Sequence, residues 1–222
     1  MSSKEIIQET LAKQIITCAL PPGTILDKNK ISEDLGVSIT PVREALILLA
    51  QQGLVEMVPN KYSRVSLIDI DFLREKAFIR SALECSVAEH LAQRGLSDEE
   101  MAKLNAFVDA QEIAVHDEDF EAAHNIDFCF HKFLCELTGF QRLWDTIEQS
   151  RMHILRAINC GPLPLVNADK KGAVNEHKLI LSALAKGKKS VARNQMAKHI
   201  EHLDKHIQRL PPVYLSKSSL QK

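Results

Sequence analysis

The sequence lacks any apolar run long enough to cross a bilayer, and its start carries no basic-then-apolar leader. A cytoplasmic protein with no membrane partner is therefore expected. It also lacks a cysteine framework. Cys18, Cys85, Cys129, Cys135 and Cys160 are odd in number and show no C-x-x-C spacing, so buried free thiols are expected rather than disulfides. An excess of charge is missing too, since 28 Lys and Arg stand against 29 Asp and Glu, which gives no reason to expect a membrane surface. Internal repeats and low-complexity tracts are likewise absent. What remains is 222 residues, 45% of them hydrophobic, which suits two domains with real cores.

The most informative stretch is Ile31–Val55, ISEDLGVSITPVREALILLAQQGLV. Gly36 supplies the left-handed backbone that stops one helix, Thr40 can cap the next, and Pro41 suits a first helical position. Val42, Ala45, Leu46 and Leu49 then recur at i, i+3, i+4 and i+7, one apolar stripe that leaves Arg43, Glu44, Ile47 and Gln51 largely off it. A short helix, a tight turn and a second helix with a free face is the arrangement that enters the DNA major groove. The plainer reading is an ordinary helical hairpin. Upstream, Ser2-x-x-Glu5 is a capping box ahead of Ile7, Leu11 and Ile15. Downstream, Leu54-Val55-Glu56 and Val65-Ser66-Leu67 read as strands around the turn Pro59-Asn60-Lys61. Three helices and a hairpin make a winged helix.

Three motifs in order carry a family resemblance: Leu20-Pro21-Pro22-Gly23-Thr24-x-Leu26, then Leu35-Gly36-Val37-Ser38-x-Thr40-Pro41-Val42-Arg43-Glu44-Ala45-Leu46, then Gly53-Leu54-Val55. Residues 5–67 resemble the N-terminal domain of GntR-family bacterial transcription regulators. In a domain of this kind the helix N-terminus at Pro41 offers N–H groups and a positive dipole end to phosphate, with Thr40 adding a hydroxyl. Arg43 can reach phosphate or a guanine edge, Lys61 and Arg64 lie on the wing, and Lys28 lies on the preceding helix. The chain departs from the family at Ile39 and Asn29, where arginine is usual, and at Tyr62, where glycine is preferred. Residues 1–68 hold seven basic and seven acidic side chains, so the domain is formally neutral. Because phosphate neutralisation dominates affinity for DNA, weaker or unusually specific binding is expected.

From Asp69 onward the pattern is helical. Asp69 or Asp71 can cap a long helix ending at Gly95, Ser97-x-x-Glu100 opens a second, and further helices cover roughly Asp119–Thr138, Arg142–Asn159, Asn167–Ala185 and Lys189–Gln208. Six helices with short connections make an antiparallel bundle. The fold class is thus mainly α, an N-terminal winged helix-turn-helix (1–68) followed by an all-helical bundle (69–210) and a frayed tail (211–222). Asp127 and His131 are four apart on one helix, and His177 and His199 lie on two others. One carboxylate and three imidazoles could close on a divalent ion, with bonds of about 2.0–2.2 Å for zinc. Spacing alone does not single them out from His116, His124, His153, His202 or His206.

Arg80-x-x-x-Glu84, Asp127-x-x-x-His131, Glu176-His177 and Met196-x-x-His199 also make residues 70–210 similar to the FCD effector domain of the FadR branch of the same family. That resemblance implies a metal held by Asp127, His131, His177 and His199, zinc first and nickel or manganese next, with open positions for a small organic acid. Arg80 is the candidate for grasping the effector carboxylate, and an ion pair with Glu84 is its alternative. Arg151 and Arg156 are secondary candidates. The expected protein is a ligand-responsive repressor, a homodimer placing two recognition helices on a palindromic duplex operator. A metal-dependent hydrolase and a DNA-binding adaptor without a sensing role are the competing readings.

Overall fold

Helix α1 (Ser3–Ile16) begins at the capping box the sequence announces. The Ser2 hydroxyl accepts from Glu5 N–H, while the Glu5 carboxylate takes the Ser2 N–H. The computed structural model describes residues 2–59, 61–161, 170–201 and 207–220, and by packing it divides into two units. Unit 1 comprises residues 1–73, 152–162 and 206–222, and unit 2 comprises 74–151 and 163–205.

Unit 1 holds α1, α2 (Lys28–Leu35), α3 (Ile39–Gln51) and an antiparallel pair, β1 (Val55–Val58) and β2 (Tyr62–Val65). Ile7, Leu11 and Ile15 of α1 close on Val42, Ala45, Leu46 and Leu49 of α3, so two stripes at helical spacing make one core with Leu26, Leu54, Val55 and Val65. Gly36 at φ +63° ends α2, and its open side needs no further account. Gly23 at φ +89° turns the chain so that Gly23 N–H and Val65 N–H exchange bonds with Val65 O and Thr24 O, both at 2.9 Å. Leu26 N–H adds a bond to Ser63 O at 2.8 Å, so the Pro-Pro-Gly-Thr segment lines the far edge of β2.

Two local expectations are corrected here. Helix α3 starts earlier than Pro41: Ser38 is its N-cap, without a side-chain cap bond, and Thr40 and Pro41 are its second and third residues. Proline is tolerated there because no N–H in the first turn has an intrahelical acceptor. The second strand lies at Tyr62–Val65 rather than Val65–Leu67, since Val58 pairs with Tyr62 directly across the turn. Asn60 of that turn is outside the described residues.

The tail from Pro211 is not frayed over 212–220. Ile68 N–H bonds Tyr214 O and Ser216 N–H bonds Ile68 O, each at 2.8 Å. A 3-10 turn (Pro212–Tyr214) and a short helix, α10 (Lys217–Leu220), follow the same path. Asp69 is the anchor: it caps α4 (Ile70–Arg94) through Phe72 N–H at 3.1 Å and accepts from Ser218 at 2.8 Å and Ser216 at 3.2 Å. The tail is held because it satisfies backbone and carboxylate groups that would otherwise need water.

Unit 2 is built from α4 beyond Leu73, α5 (Asp98–His116), α6 (Phe120–Glu136), α7 (Leu143–Asn159) as far as Arg151, α8 (Lys170–Ala185) and α9 (Lys189–Ile200). Ser97 and Glu100 form the capping box on α5, and Asp119 caps α6. Leu91, Leu104, Phe130, Leu134, Ile147, Ile180, Leu184 and Met196 are fully buried in one cluster. The expected start of the fifth bundle helix, Asn167, lies outside the described residues, and the sixth is described as far as Ile200, with Gln208 in a turn.

The Phe72 N–H, then Ser218, hold the Asp69 carboxyl below its ordinary value of 3.8, against a smaller opposing effect of burial. A depressed folded value means the stabilisation is present above the unfolded value and is lost as pH falls through the folded one. Asp69→Ala should therefore destabilise the protein at pH 7 by about 1 kcal/mol. In urea titrations the gap to the parent should narrow below roughly pH 4.

Candidate functional site

Four side chains from four-residue and cross-helix spacings meet inside unit 2. Asp127 and His131 come from α6, His177 from α8 and His199 from α9, and one ligand atom of each lies within 4.8 Å of the others. His131 Nε2 stands 3.1 Å from His199 Nε2, and His177 Nε2 stands 3.2 Å from the same atom. Asp127 Oδ1 lies 3.4 Å from His177 Nε2 and 3.7 Å from His131 Nε2. Atoms bound about 2.0–2.2 Å from one ion sit roughly 3–3.6 Å apart, so these spacings suit a shared metal.

What turns the rings is a ring of acceptors behind them. His131 Nδ1 lies against the Glu84 carboxylate, His177 Nδ1 pairs with Gln111 Oε1 at 2.8 Å, and His199 Nδ1 pairs with Glu176 Oε2 at 2.9 Å. Each acceptor draws the ring proton to Nδ1 and leaves Nε2 with a bare lone pair. Three lone pairs about 3 Å apart repel unless a cation lies among them. A proton on one ring satisfies one contact well, whereas an ion at the centre satisfies all four donors.

The electrostatics keep the donors in their binding forms. Burial pulls His131 down to about 4, against Glu84 and Asp127, and burial followed by the His199 ring lowers His177. Burial alone would raise Asp127, but Arg151 and then His131 hold it well below the usual carboxylate range. Its partner is explicit: Arg151 Nη2 donates to Asp127 Oδ2 at 2.6 Å. Glu84 is likewise ionised in spite of burial, chiefly through Arg80, whose Nε donates to Oε1 at 2.6 Å. Phe130 packs 4.3 Å from the His177 ring and forms an apolar side of the cluster.

The three arginines read from the sequence part company. Arg151 is at the cluster. Arg80 is committed to Glu84, two residues 13% and 2% exposed, so the alternative ion-pair reading describes it. Arg156 belongs to unit 1, where it is buried and donates to Ser66 O. Of the other histidines, His116 is exposed beside Asp117 and His153 meets Phe72 edge-to-face in unit 1. His124 is not among the clustered residues, and His202 and His206 lie outside the described ones. Gln111 was not singled out in the sequence. Its signal is a polar residue at a stripe position, with Leu104 and Val108 at i−7 and i−3.

On unit 1 the outward side of α3 presents Ile39, Thr40, Arg43, Glu44 and Ile47 to solvent. Arg43 makes no ion pair among the described residues. With no side-chain cap, the leading N–H groups of α3 are left for a phosphate. Lys28 and Lys61 are exposed. Arg64 is not a free cation: it bonds Glu56 at 2.7 Å and lies over the Tyr62 ring.

Residues 3–65 match the gntR family of bacterial regulatory proteins, and residues 76–202 match the FCD domain. The chain is a GntR-family transcription regulator. It is similar to the HTH-type transcriptional repressor RspR of Escherichia coli, at 28% identity over 209 residues covering 92% of this chain and 88% of that protein. An HTH-type transcriptional regulator from an unstable DNA locus of Streptomyces ambofaciens is 32% identical over 200 residues, covering 90% and 83%. Among solved structures, E. coli McbR/YncC superposes with a TM-score of 0.75 at 25% identity, covering 94% of this chain and 98% of that one. GntR regulators are not enzymes, so the hydrolase reading falls.

Within this GntR regulator, Glu84 is the acceptor whose loss isolates the orientation of a ligand from its presence. Glu84→Gln keeps shape but not charge, and should lower divalent-metal affinity about 10–100-fold while His131 remains. Calorimetric titration of zinc into the metal-free protein checks this. Unchanged affinity would remove Glu84 from the site.

Proposed function

We propose that this regulator is a homodimeric repressor whose helical unit holds a divalent metal, zinc first and nickel or manganese next, and senses a small organic acid there. The observation that carries the reading is the convergence of three outward-anchored imidazoles and one carboxylate on a single point. Asp127, His131, His177 and His199 would hold the ion. A bound ion supplies a Lewis-acidic centre for an effector carboxylate. Arg151, tied to Asp127 and with Nη1 buried and unpartnered, is the side chain placed to share that anion.

On DNA, α3 is the recognition helix. Its unpaired Arg43 reads phosphate or base edge, Thr40 and the free N–H groups take phosphate, and Lys28 and Lys61 add charge at the flanks. Arg64 contributes less, because Glu56 neutralises it. Two copies would engage the halves of a palindromic operator. Effector binding would shift the dimer between forms of different operator affinity, a coupling typically of ~1–3 kcal/mol.

Two variants test the division of labour on a duplex selected by the parent protein from a random pool. Arg43→Ala should weaken that complex by about 1–3 kcal/mol and leave metal content unchanged. The double variant His177→Ala, His199→Ala should lose the metal and every response to a panel of small organic acids, yet still bind the duplex. Unaltered metal content in the double variant would refute the ligand set. Unaltered duplex binding by Arg43→Ala would refute the recognition helix.

A further inference from the structure

Two of the five cysteines meet in unit 1, and nothing in metal or DNA binding uses them. Cys18 follows the C-cap of α1 and Cys160 follows the last residue of α7, 142 positions later in the chain, and the two thiols interact electrostatically. The approach is braced on both sides. Asn159 Nδ2 donates to Ile16 O at 2.9 Å, which fastens the end of α7 to the last turn of α1. Arg156, one turn before Cys160, is 4% exposed, donates to Ser66 O, and acts electrostatically on both sulfurs.

Cys18 also holds an unusual backbone. Its φ is +61°, a left-handed position usually left to glycine, and Glu118 is the only other non-glycine residue with positive φ among the described residues. A cysteine holds this position although glycine would end the helix there without strain. Access differs between the pair: Cys18 is half-buried, and Cys160 is buried.

We propose that Cys18 and Cys160 are a reversible oxidation site, a dithiol that a hydroperoxide converts to an intrachain disulfide inside the DNA-binding unit. The Cys18 sulfur, the accessible one, attacks the peroxide oxygen. The O–O bond breaks, one water leaves, and Cys18 becomes a sulfenic acid. The Cys160 sulfur then attacks Cys18, the S–O bond breaks, and the hydroxyl departs with the Cys160 proton as a second water. Two thiols lose two electrons in all, and one peroxide becomes two waters. Arg156 favours negative charge on the Cys160 sulfur, working against the burial that raises this thiol, and so assists its attack in the second step. The other thiols lack this setting, since Cys85 and Cys135 are buried in unit 2 and Cys129 is exposed there.

The test treats the full-length protein with hydrogen peroxide, quenches, denatures, alkylates and digests with trypsin. The thiol titre should fall from five to three per chain. A disulfide-linked pair joining the peptide Gln14–Lys28 to Ala157–Lys170 should appear and vanish with dithiothreitol. In Cys160→Ser the reaction should stop at a sulfenic acid on Cys18, captured by dimedone. Retention of alkylatable Cys18 and Cys160 in the parent protein, or cross-linking confined to Cys129 of two chains, would overturn the proposal. The parent digest decides the matter even if the variant folds poorly.

Discussion

Three outward contacts, from the Nδ1 atoms of His131, His177 and His199 to Glu84, Gln111 and Glu176, are the constraint on which the histidine cluster of the helical unit rests. They decide which nitrogen of each ring is bare and where it points. Remove them and the same histidines would be ordinary buried imidazoles, each free to turn toward whichever neighbour offered a proton. With them, the lone pairs of His131 and His177 each face that of His199, at 3.1 and 3.2 Å, an arrangement that a cation relieves. The second consequence is electrostatic. Glu84 and Asp127 are buried anions, each matched by a guanidinium, Arg80 for one and Arg151 for the other. A buried charge without its partner would be strongly destabilising, so these arginines belong to the architecture of the cluster.

That division explains which parts of the site could be read from the chain. The four donors were legible because spacing puts Asp127 and His131 on one helix face, and because the family resemblance singled out His177 and His199 from nine histidines. The acceptors behind them were only partly legible. Glu84 and Glu176 stood in the quoted motifs, but the partners they would choose depend on how α4, α6, α8 and α9 pack, which one-dimensional spacing does not contain. Arg156 illustrates the same limit from the other side. Its position near the end of α7 suggested the cavity, yet that end of the helix belongs to the other unit, where a backbone carbonyl claims the guanidinium.

The DNA-binding unit was legible to a finer grain, because its determinants are local. The Ser2–Glu5 capping box, the left-handed Gly36 and two apolar stripes each act within a few residues, and all appear where the pattern puts them. The differences were of two or three residues, at the start of α3 and along β2, where cap and hairpin register choose among near-equal options. The tail was misjudged for a different reason. Polar Ser216, Ser218 and Ser219 look like solvent-facing residues in the sequence, and only the long-range meeting with Ile68, Asp69 and Ile70 gives them structural work. The near-neutral charge of the recognition unit, with Arg64 held by Glu56, leaves Arg43 as its most available arginine, so binding should depend heavily on that contact.

The most direct measurement of the central claim is a long-range nitrogen–proton spectrum of uniformly nitrogen-15-labelled, metal-free protein titrated with zinc. The account predicts saturation at one ion per chain, with three imidazoles whose Nε2 resonances move to the metal-bound range while Nδ1 keeps its proton. Saturation without change at those rings, or coordination through Nδ1, would contradict it.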